Sequence, residues 1–365
     1  MSKNNRGALK MAFQTMVEIK NWLNTFTHSQ LCEGWADISN VVSIEATGNI
    51  NVVFPFVSKS LQTDFNHWLE GQKLELALPD LSVFVSSKTS SLKTNQQAVK
   101  GVKNIIAVSS GKGGVGKSTT AVNLALALHH LGARVGILDA DIYGPSVPLM
   151  LGVEDKKPAI VDNNRMMPIE AHGLYSNSIG YLVEKGEAAV WRGPMASKAL
   201  SQLLNETWWP DLDYLIIDMP PGTGDIQLTL SQQVPTTGAV IVTTPQDLAL
   251  TDAIKGVNMF TKVDVPVIGV VENMSIHICS NCGHQEAIFG TGGALTMAQR
   301  YSIPLLAQLP LHIDIRSETD SGTPSVAINP TSPHSKLYIN LAEQVSSRLY
   351  WQGEVIPDQI MFKSL

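Results

Sequence analysis

The chain has 365 residues, a hydrophobic share of 44%, a charged share of 16% and a formal net charge of −6 at pH 7. The length predicts about two domains with enough apolar material for a sizeable core. The acidic balance argues against a general attraction to nucleic acid or to an anionic membrane. No apolar stretch is long enough to span a bilayer, and the N-terminus lacks the apolar block of a signal peptide. These features predict a cytoplasmic protein.

Cysteine usage supports the same compartment. The three cysteines are Cys32, Cys279 and Cys282. A small, odd number is not typical of a disulfide framework, so the sequence indicates a reducing environment. Cys32 is isolated in the sequence, and we expect it to be a small buried hydrophobic residue rather than a ligand.

The segment 1–84 predicts a small α+β domain. Apolar residues at helical spacing in MAFQTMVEIKNWL predict a first helix, and VVSIEATGNINVVFPF predicts two strands joined by a turn at Gly48 and Asn49. SLQTDFNHWLEGQ predicts a second helix that ends near Gly71. Residues 85–103 are rich in Ser, Thr, Lys, Asn and Gln and predict a flexible linker, with a frayed helix of the first domain as the alternative.

Residues 104–350 show a different pattern, and residues 351–365 are a C-terminal tail. Short apolar runs recur between helix-length segments: NIIAVSS, ARVGILDAD, DYLIIDMPPG, GAVIVTTPQ, PVIGVVENM and IPLLAQLP. Continuous apolar runs of this length are typical of strands buried on both faces of a parallel sheet. This segment therefore predicts a doubly wound, mainly parallel α/β fold, in which ligands bind at the carboxyl ends of the strands.

A phosphate-binding loop follows the first of these strands. GKGGVGKS matches the pattern G-x-x-x-x-G-K-[ST] between a strand and a helix, which is the context that the motif requires. Glycines let backbone N–H groups approach phosphate, and the helix N-terminus adds partial positive charge. Lys117 is expected to contact the β and γ oxygens of ATP, and the Ser118 hydroxyl is expected to bind Mg²⁺. The predicted nucleotide-binding residues of the loop are Gly111, Lys112, Gly113, Gly114, Val115, Gly116, Lys117, Ser118 and Thr119.

Three acidic residues follow two other predicted strands. Asp139 and Asp141 end VGILDAD, and Asp218 ends LIID before a turn rich in Pro and Gly. Asp218 is the expected Walker B acid, which holds Mg²⁺ through a water, and Asp141 is placed to orient the attacking water. A single aspartate at a strand end is as often a helix cap or a turn former, but three acids in a phosphate-loop domain favour a catalytic function.

Five further motifs make the sequence resemble a known family. With Lys112 after the first glycine, the loop resembles the deviant Walker A motif of the class that contains the nitrogenase iron protein, MinD and ParA. DADIYGPSVP, VWRGPM, IIDMPPGTGD, VVENMS and CSNCG together resemble the Mrp/ApbC iron–sulfur cluster carriers. The resemblance covers residues 104–340, and the first domain more weakly resembles the small N-terminal domain of bacterial members. It assigns no role to Arg192 of VWRGPM.

The resemblance implies roles for two residues. It implies that Lys112 crosses a two-fold homodimer interface to the nucleotide on the other subunit. A charge supplied in this way can stabilise the transition state, as an arginine finger does; a solvated lysine is the alternative. The resemblance also implies that Asn273 contacts adenine, whose edge needs both a donor and an acceptor. A turn asparagine is the alternative there.

Cys279 and Cys282 form a CxxC pair, which suits zinc, an iron–sulfur cluster or a redox disulfide. Tetrahedral metal sites and cubane clusters normally have four protein ligands, and a two-fold axis supplies the other two from a partner chain. The favoured prediction is a 4Fe–4S cluster that bridges two subunits. The alternatives are a zinc site in one chain with His277 and His284, and a redox or purely structural pair.

The sequence thus predicts an ATP-hydrolysing carrier that holds a labile 4Fe–4S cluster across a homodimer and passes it to apo-proteins, with cluster scaffold proteins as further partners. ATP binding or hydrolysis would change the dimer geometry and so the hold on the cluster. The alternatives are a MinD- or ParA-like positioning ATPase and a nucleotide-dependent electron donor. The acidic chain and its weakly basic C-terminal end argue against DNA and membrane partners.

Overall fold

A computed structural model of the chain describes residues 13, 15–161, 165–183 and 193–356. The described residues form two compact units. The smaller contains those up to Ser90 together with Ser346–Trp351, and the larger contains Ser91–Val345 and those from Gln352 onward. Within this described part, no helix combines the length and the apolar character that crossing a membrane requires.

The smaller unit has a three-stranded sheet and two helices. Its strands are β1 (Val42–Ile44), β2 (Ile50–Phe54) and β3 (Val83–Ser87), and its helices are α1 (Met16–Leu23) and α2 (Lys59–Glu75). Strand β2 lies in the middle, antiparallel to β1 and parallel to β3. The predicted hairpin around Gly48 is confirmed, since β1 and β2 pair on either side of it.

The prediction that the second helix ends near Gly71 is wrong. Helix α2 continues to Glu75 because the residues after Gly71 are good helix formers. One of them, Gln72, accepts a hydrogen bond from Trp22 Nε1 at 3.0 Å through its side-chain oxygen. Glycine in a helix costs only about 1 kcal/mol relative to alanine, and these contacts offset that cost.

The segment predicted as a linker begins inside β3. All five residues of β3, Val83–Ser87, pair with β2, because alternate side chains of this segment can lie on the two faces of a small sheet. From Lys88 to Gly101 the structure has no helix or strand except an isolated bridge between Leu92 and Val355. The irregular part of the connection is therefore shorter than the sequence predicts.

The larger unit is built on an eight-stranded sheet. Its strands are β4 (Val102–Ser109), β5 (Val135–Asp139), β8 (Ile169–Ala171), β9 (Leu174–Ser178), β10 (Leu212–Asp218), β11 (Gly238–Thr243), β12 (Val267–Glu272) and β15 (Leu305–Gln308). They lie in the order β15-β12-β11-β4-β10-β5-β9-β8, and only β8 and β9 are antiparallel to each other. The predicted doubly wound, mainly parallel fold is confirmed, and every predicted strand is present.

Two short ribbons lie outside this sheet. Strands β6 (Ile160–Val161) and β7 (Arg165–Met166) form one, and β13 (His277–Ile278) and β14 (Gln285–Glu286) form the other. Both pairs are antiparallel. The second ribbon carries the two clustered cysteines in its turn.

Helices of the larger unit connect and cover the strands. They are α3 (Lys117–His130), α4 (Val147–Met150), α5 (Gly193–Asn205), α6 (Asp225–Gln233), α7 (Asp247–Lys262), α8 (Gly293–Tyr301), α9 (Ile313–Asp320), α10 (Ser325–Ile328) and α11 (Pro333–Gln352). The segment Ser346–Trp351 of α11 belongs to the smaller unit. Helix α3 packs on β4, β5 and β10, and all its residues from Thr120 to Leu128 are buried. The helix that follows the phosphate loop is therefore held firmly in the core.

Candidate functional site

The carboxyl ends of β4, β5 and β10 meet at one edge of the sheet. In the sheet register, Asp218 lies beside Asp139 on one side and beside Val108 on the other. The phosphate loop starts directly after β4 and leads into α3 at Lys117. The loop and the two acids therefore share the edge at which doubly wound folds bind their ligands.

Three glycines of the phosphate loop are required by the backbone or by its neighbours. Gly114 and Gly116 both have a φ of 81°, in the left-handed region that favours glycine. A Cβ at Gly111 would lie 2.2 Å from the carbonyl carbon and oxygen of Asp252 in α7, and a Cβ at Gly116 would lie 2.1 Å from Asn273 Nδ2. The result is a narrow backbone cradle at a helix N-terminus, which is the architecture that binds phosphate.

Lys117 is buried in an ion pair. Its Nζ donates to Asp218 Oδ1 and, at 3.2 Å, to Ser118 Oγ. Asp218 is fully buried, and its second oxygen, Oδ2, has no hydrogen-bond partner among the described residues. A buried carboxylate oxygen without a donor and a hydroxyl that is bonded to the same ammonium form a donor set that fits Mg²⁺. The structure thus brings three of the predicted phosphate and metal residues together.

Asp139 organises the loop that follows β5. Its Oδ1 accepts the N–H of Asp141 at 3.1 Å. Its Oδ2 accepts the N–H groups of Ser146 at 2.9 Å and Val147 at 3.0 Å, and the hydroxyl of Ser178 at 3.1 Å. One buried carboxylate therefore holds both ends of the loop that carries Asp141, which is the alternative predicted for a strand-end aspartate, a helix cap or turn former.

Burial and neighbouring charges raise the pKa of two carboxylates at this edge, Asp139 and Asp141. Burial first, and the neighbouring Asp218 carboxylate second, raise the pKa of Asp139 to about 7, although its N–H donors and Lys117 oppose the rise. Asp141 is half-buried, and burial raises its pKa too, while the charge of Lys117 opposes the shift. Asp141 therefore lies within electrostatic range of Lys117 and Asp218, as its predicted role requires.

Lys112 lies at the start of the loop and is partly exposed. Its carbonyl accepts a hydrogen bond from Ser110 Oγ at 2.8 Å, which fixes the backbone there. Across the described ranges, no carboxylate forms an ion pair with its ammonium. Thr119 lies further along, in the first turn of α3, and its carbonyl accepts a bond from Asn123 Nδ2 at 3.0 Å.

Asn273 follows β12 and is buried against the phosphate loop. Its Nδ2 donates to the carbonyl of Val115 at 2.8 Å, and its backbone N–H donates to the carbonyl of Thr243 at 2.8 Å. Of the residues that the structure describes, none donates to Asn273 Oδ1. The amide donor that the sequence assigned to adenine is therefore used inside the protein, and the acceptor remains for a base.

Cys279 and Cys282 lie in the turn between β13 and β14. The N–H of Cys279 donates to the carbonyl of His284 at 2.9 Å, and the N–H of Gly283, which has a φ of 71°, donates to the carbonyl of Cys279 at 2.8 Å. Both thiols are free, with Cys282 exposed and Cys279 partly exposed. The backbone N–H of Cys282, then that of Asn281, and the Cys282 thiol lower the pKa of Cys279, which favours the thiolate.

The one-chain zinc alternative is not formed in this structure. His277 and His284 flank the cysteine pair, but in the described segments no three His, Cys, Asp or Glu side chains are arranged to hold a metal ion. Cys32, the third cysteine, is only partly buried, and burial raises the pKa of its thiol. Arg192 and the tail from residue 357 lie outside the described residues.

Comparisons with known proteins identify the family to which the chain belongs. A family model for ParA, described as NUBPL iron-transfer P-loop NTPase, matches residues 101–346. The chain is 68% identical over 271 residues to an iron-sulfur cluster carrier protein of Haemophilus influenzae, across 74% of this chain and 73% of the relative. It is 57% identical over 331 residues to an iron-sulfur cluster carrier protein of Escherichia coli, across 90% of each.

A solved structure shares the fold. A nucleotide-binding protein of Archaeoglobus fulgidus, in complex with ADP, is 37% identical with a TM-score of 0.57 and covers 65% of this chain and 91% of its own. The family model spans the whole eight-stranded sheet, the phosphate loop and the ribbon that carries the cysteine turn. The chain therefore belongs to the NUBPL-type family of iron-transfer P-loop NTPases, together with these iron–sulfur cluster carrier proteins.

Proposed function

We propose that this protein hydrolyses ATP and carries a labile 4Fe–4S cluster to apo-proteins, with Cys279 and Cys282 of two copies of the chain as the cluster ligands. The observation that carries the proposal is the exposed turn with two free thiols, one of them with a lowered pKa. Thiolates are the form in which cysteine binds iron. An exposed position suits a cluster that has to leave.

The homodimer follows from the ligand number. Cubane clusters normally take four protein ligands, and the turn of one chain offers two thiolates, Cys279 and Cys282. In the described part of the chain, no further His, Cys, Asp or Glu side chains converge on them. A two-fold axis through the turn would bring a second identical pair, because a symmetric interface repeats every residue.

ATP is expected to bind at the phosphate loop, residues 111–119, as it does in P-loop proteins. Lys117 would exchange its partner Asp218 for the β and γ oxygens of the nucleotide, so that the ion pair opens when ATP binds. Ser118 and Asp218 would hold Mg²⁺, which neutralises charge on the phosphates. The loop carboxylate of Asp141 would orient the attacking water.

Two further contacts complete the proposed nucleotide site. The Oδ1 of Asn273 would accept a hydrogen bond from the 6-amino group of adenine, since the Nδ2 already donates to Val115. The Lys112 ammonium, which has no carboxylate partner within the described ranges, would reach the nucleotide on the other subunit. Its charge would then stabilise the transition state in trans.

Anaerobic reconstitution tests the carrier function. Protein treated with ferrous iron and sulfide is expected to develop a broad absorbance near about 400 nm, typical of Cys-ligated clusters. It should then pass the cluster to an apo-ferredoxin in a timed assay, with a rate that depends on MgATP.

Cysteine variants provide the controls. Changing both Cys279 and Cys282 to Ala should abolish the absorbance, whereas Cys32→Ala should retain it, because Cys32 lies in the smaller unit. Cluster retention in the double variant would rule out these ligands. A cluster that stays bound in the presence of acceptor would rule out the carrier function.

A further inference from the structure

The chain segment after β12 connects the phosphate loop to the cysteine turn. Asn273 contacts the loop, and β13 begins at His277, so that only Met274, Ser275 and Ile276 lie between them. A displacement of Asn273 therefore has to pass through only three residues to reach the ribbon that holds Cys279.

On the side of the loop, the contact is made to one particular peptide group. Asn273 Nδ2 donates to the carbonyl of Val115, and the N–H of the same peptide group belongs to Gly116. Gly116 precedes the first residue of α3, where loop N–H groups face a bound phosphate. The peptide group is planar and rigid, so a phosphate that reorients its N–H also reorients its carbonyl. The Asn273 amide is bonded directly to that carbonyl.

Side-chain packing strengthens the same contact. A Cβ on Gly116 would lie 2.1 Å from Asn273 Nδ2 and 3.7 Å from Met274 Cε, so both side chains cover the loop backbone. Met274 itself has a φ of 57°, in the left-handed region that a side chain such as methionine rarely adopts. Strain of this kind persists only where surrounding contacts impose it, and it is common in segments that switch.

On the side of the cysteines, the segment is tightly paired. The N–H and the hydroxyl of Ser275 both donate to the carbonyl of Leu309, at 2.9 and 3.1 Å. Leu311 donates to the carbonyl of Ile276 at 2.8 Å, and Ile278 donates to the carbonyl of Leu311 at 3.2 Å. Movement of the segment is therefore transmitted through hydrogen bonds into the ribbon.

Glu272, the last residue of β12, joins the start of the cysteine-bearing excursion to the point where it returns to the fold. Its buried carboxylate accepts Gln308 Nε2 at 2.7 Å on Oε1 and the N–H of Ala294 at 3.0 Å on Oε2. Ala294 lies in the first turn of α8, where the cysteine-bearing excursion returns to the fold. Both ends of the cysteine-bearing excursion are therefore held in place. Between them, the strained turn at Asn273 and Met274 is the part that lies directly against the phosphate loop.

We propose that Asn273 is the positioning residue that couples the nucleotide state of the phosphate loop to the conformation of the Cys279–Cys282 turn. The inference rests on nucleotide binding at the loop, as in the proposed function. Coupling between two sites is reciprocal, so a ligand held by the turn would alter nucleotide affinity by the same factor. This arrangement gives the carrier a route by which ATP changes its hold on the cluster within one subunit.

Hydrogen exchange of the cluster-free, full-length protein tests the coupling. The amides of Cys279 and Gly283 are both hydrogen-bonded within the turn and report its conformation. In wild-type protein, saturating MgADP is expected to change their exchange rates by about fivefold or more. In Asn273→Ala the ratio of rates with and without nucleotide should fall to about one, even if the nucleotide-free rates are raised. The ratio, unlike the rates themselves, does not respond to a purely structural weakening of the turn.

Matched variants complete the experiment. Asn205→Ala removes an exposed asparagine whose amide, among the described residues, bonds only to Ser201, at 2.9 Å, and it should behave as wild type. Met274→Gly keeps the Asn273 amide but relieves the left-handed strain and removes the side chain above Gly116, so it should reduce the nucleotide response. Nucleotide affinity is measured for each variant so that all are compared at saturation.

The outcomes separate this inference from the proposed function. An undiminished nucleotide response in Asn273→Ala would overturn it, as would a wild-type turn that does not respond to bound nucleotide. If Asn273→Ala does not fold, an undiminished response in Met274→Gly overturns it instead. Because no cluster is present, failure of cluster transfer leaves the exchange result intact, and an unresponsive turn leaves cluster carriage intact.

Discussion

Asp139 and Asp218 lie side by side on neighbouring strands, but their surroundings give them different tasks. Asp218 pairs with Lys117 and keeps one buried oxygen without a donor, which suits a metal ligand. Asp139 accepts four hydrogen bonds from the loop after β5 and from Ser178, so its oxygens are already used. Asp139 therefore holds the loop that carries Asp141.

The raised pKa of Asp139 makes a prediction for pH dependence. An unfolded aspartate has a pKa of about 3.9, whereas burial and Asp218 raise that of Asp139 to about 7. Between these values the folded protein binds a proton that the unfolded chain has lost. The contribution of this group to the free energy of unfolding is therefore full below about pH 4 and is lost as the pH rises through about 7.

Asp139→Asn removes this titration. The variant loses acceptor capacity at every pH, but the difference in Tm between wild type and variant should shift in favour of the variant as the pH rises from about 4 to about 7, between the unfolded and the folded pKa. Scanning calorimetry at several pH values measures it. Asp264→Asn, at an exposed position, is the control for replacing one aspartate by asparagine. A difference in Tm that stays constant with pH would contradict the assignment.

At the scale of elements, strands with continuous apolar runs could be predicted, and strands without them could not. Strand β9 reads LYSNS, and its Ser176, Asn177 and Ser178 are all buried. Each polar side chain is satisfied by a tertiary hydrogen bond; that of Asn177, for example, donates to Thr207 Oγ1 at 2.7 Å. Such partners are invisible in a local pattern, so the strand had no hydropathy signal.

In the candidate site, too, local sequence motifs could be predicted, and contacts between residues far apart in the sequence could not. The phosphate loop and the cysteine pair are contiguous motifs, and the strand-end position of the acids follows from the parallel sheet. The bond from Asn273 to Val115 and the approach of Asp252 to Gly111 join residues that are far apart in the sequence. The strand-end position of Asn273 indicated that it lies near the site, but only the packed structure shows which atom it contacts.

The contact between α7 and the phosphate loop allows a test with two glycines. A Cβ at Gly111 would lie 2.2 Å from the backbone carbonyl of Asp252, which cannot rotate away, so Gly111→Ala must displace α7 or the loop. Overpacking of this kind costs about 1–3 kcal/mol of the free energy of unfolding. Gly113→Ala meets no atom within 4 Å and has no positive φ, so it should leave stability nearly unchanged.

Denaturant titration of the two alanine variants measures this difference. The expected result is a lower midpoint for Gly111→Ala and a midpoint close to wild type for Gly113→Ala. Equal midpoints for the two variants would show that α7 does not pack on the loop as closely as described.

At the scale of the whole molecule, the proposed cluster site and the proposed lysine contact both require a second copy of the chain. The cysteine turn offers two free thiols, and the Lys112 ammonium has no carboxylate partner in the ranges that the structure describes. A single two-fold homodimer would complete both, since each chain would contribute one cysteine pair and one lysine. Cluster binding and ATP hydrolysis, as proposed, therefore depend on the same two-fold homodimer. A test of the lysine is for this reason also a test of the dimer.

Mixed dimers separate a lysine that acts in trans from one that acts in its own subunit. Lys112→Ala should lower ATP hydrolysis by about 10³-fold, as loss of an arginine finger does, while nucleotide binding persists. Asp141→Asn should also be nearly inactive, because its own site lacks the carboxylate that is proposed to orient the attacking water. In a dimer of one chain of each kind, the site on the Lys112→Ala chain keeps its Asp141 and receives Lys112 from the partner.

Dimers purified with two different affinity tags should therefore hydrolyse ATP at about half of the wild-type rate, since one of two symmetric sites is complete. If the lysine acts within its own subunit, neither site is complete, and the mixed dimer stays as inactive as the two parents.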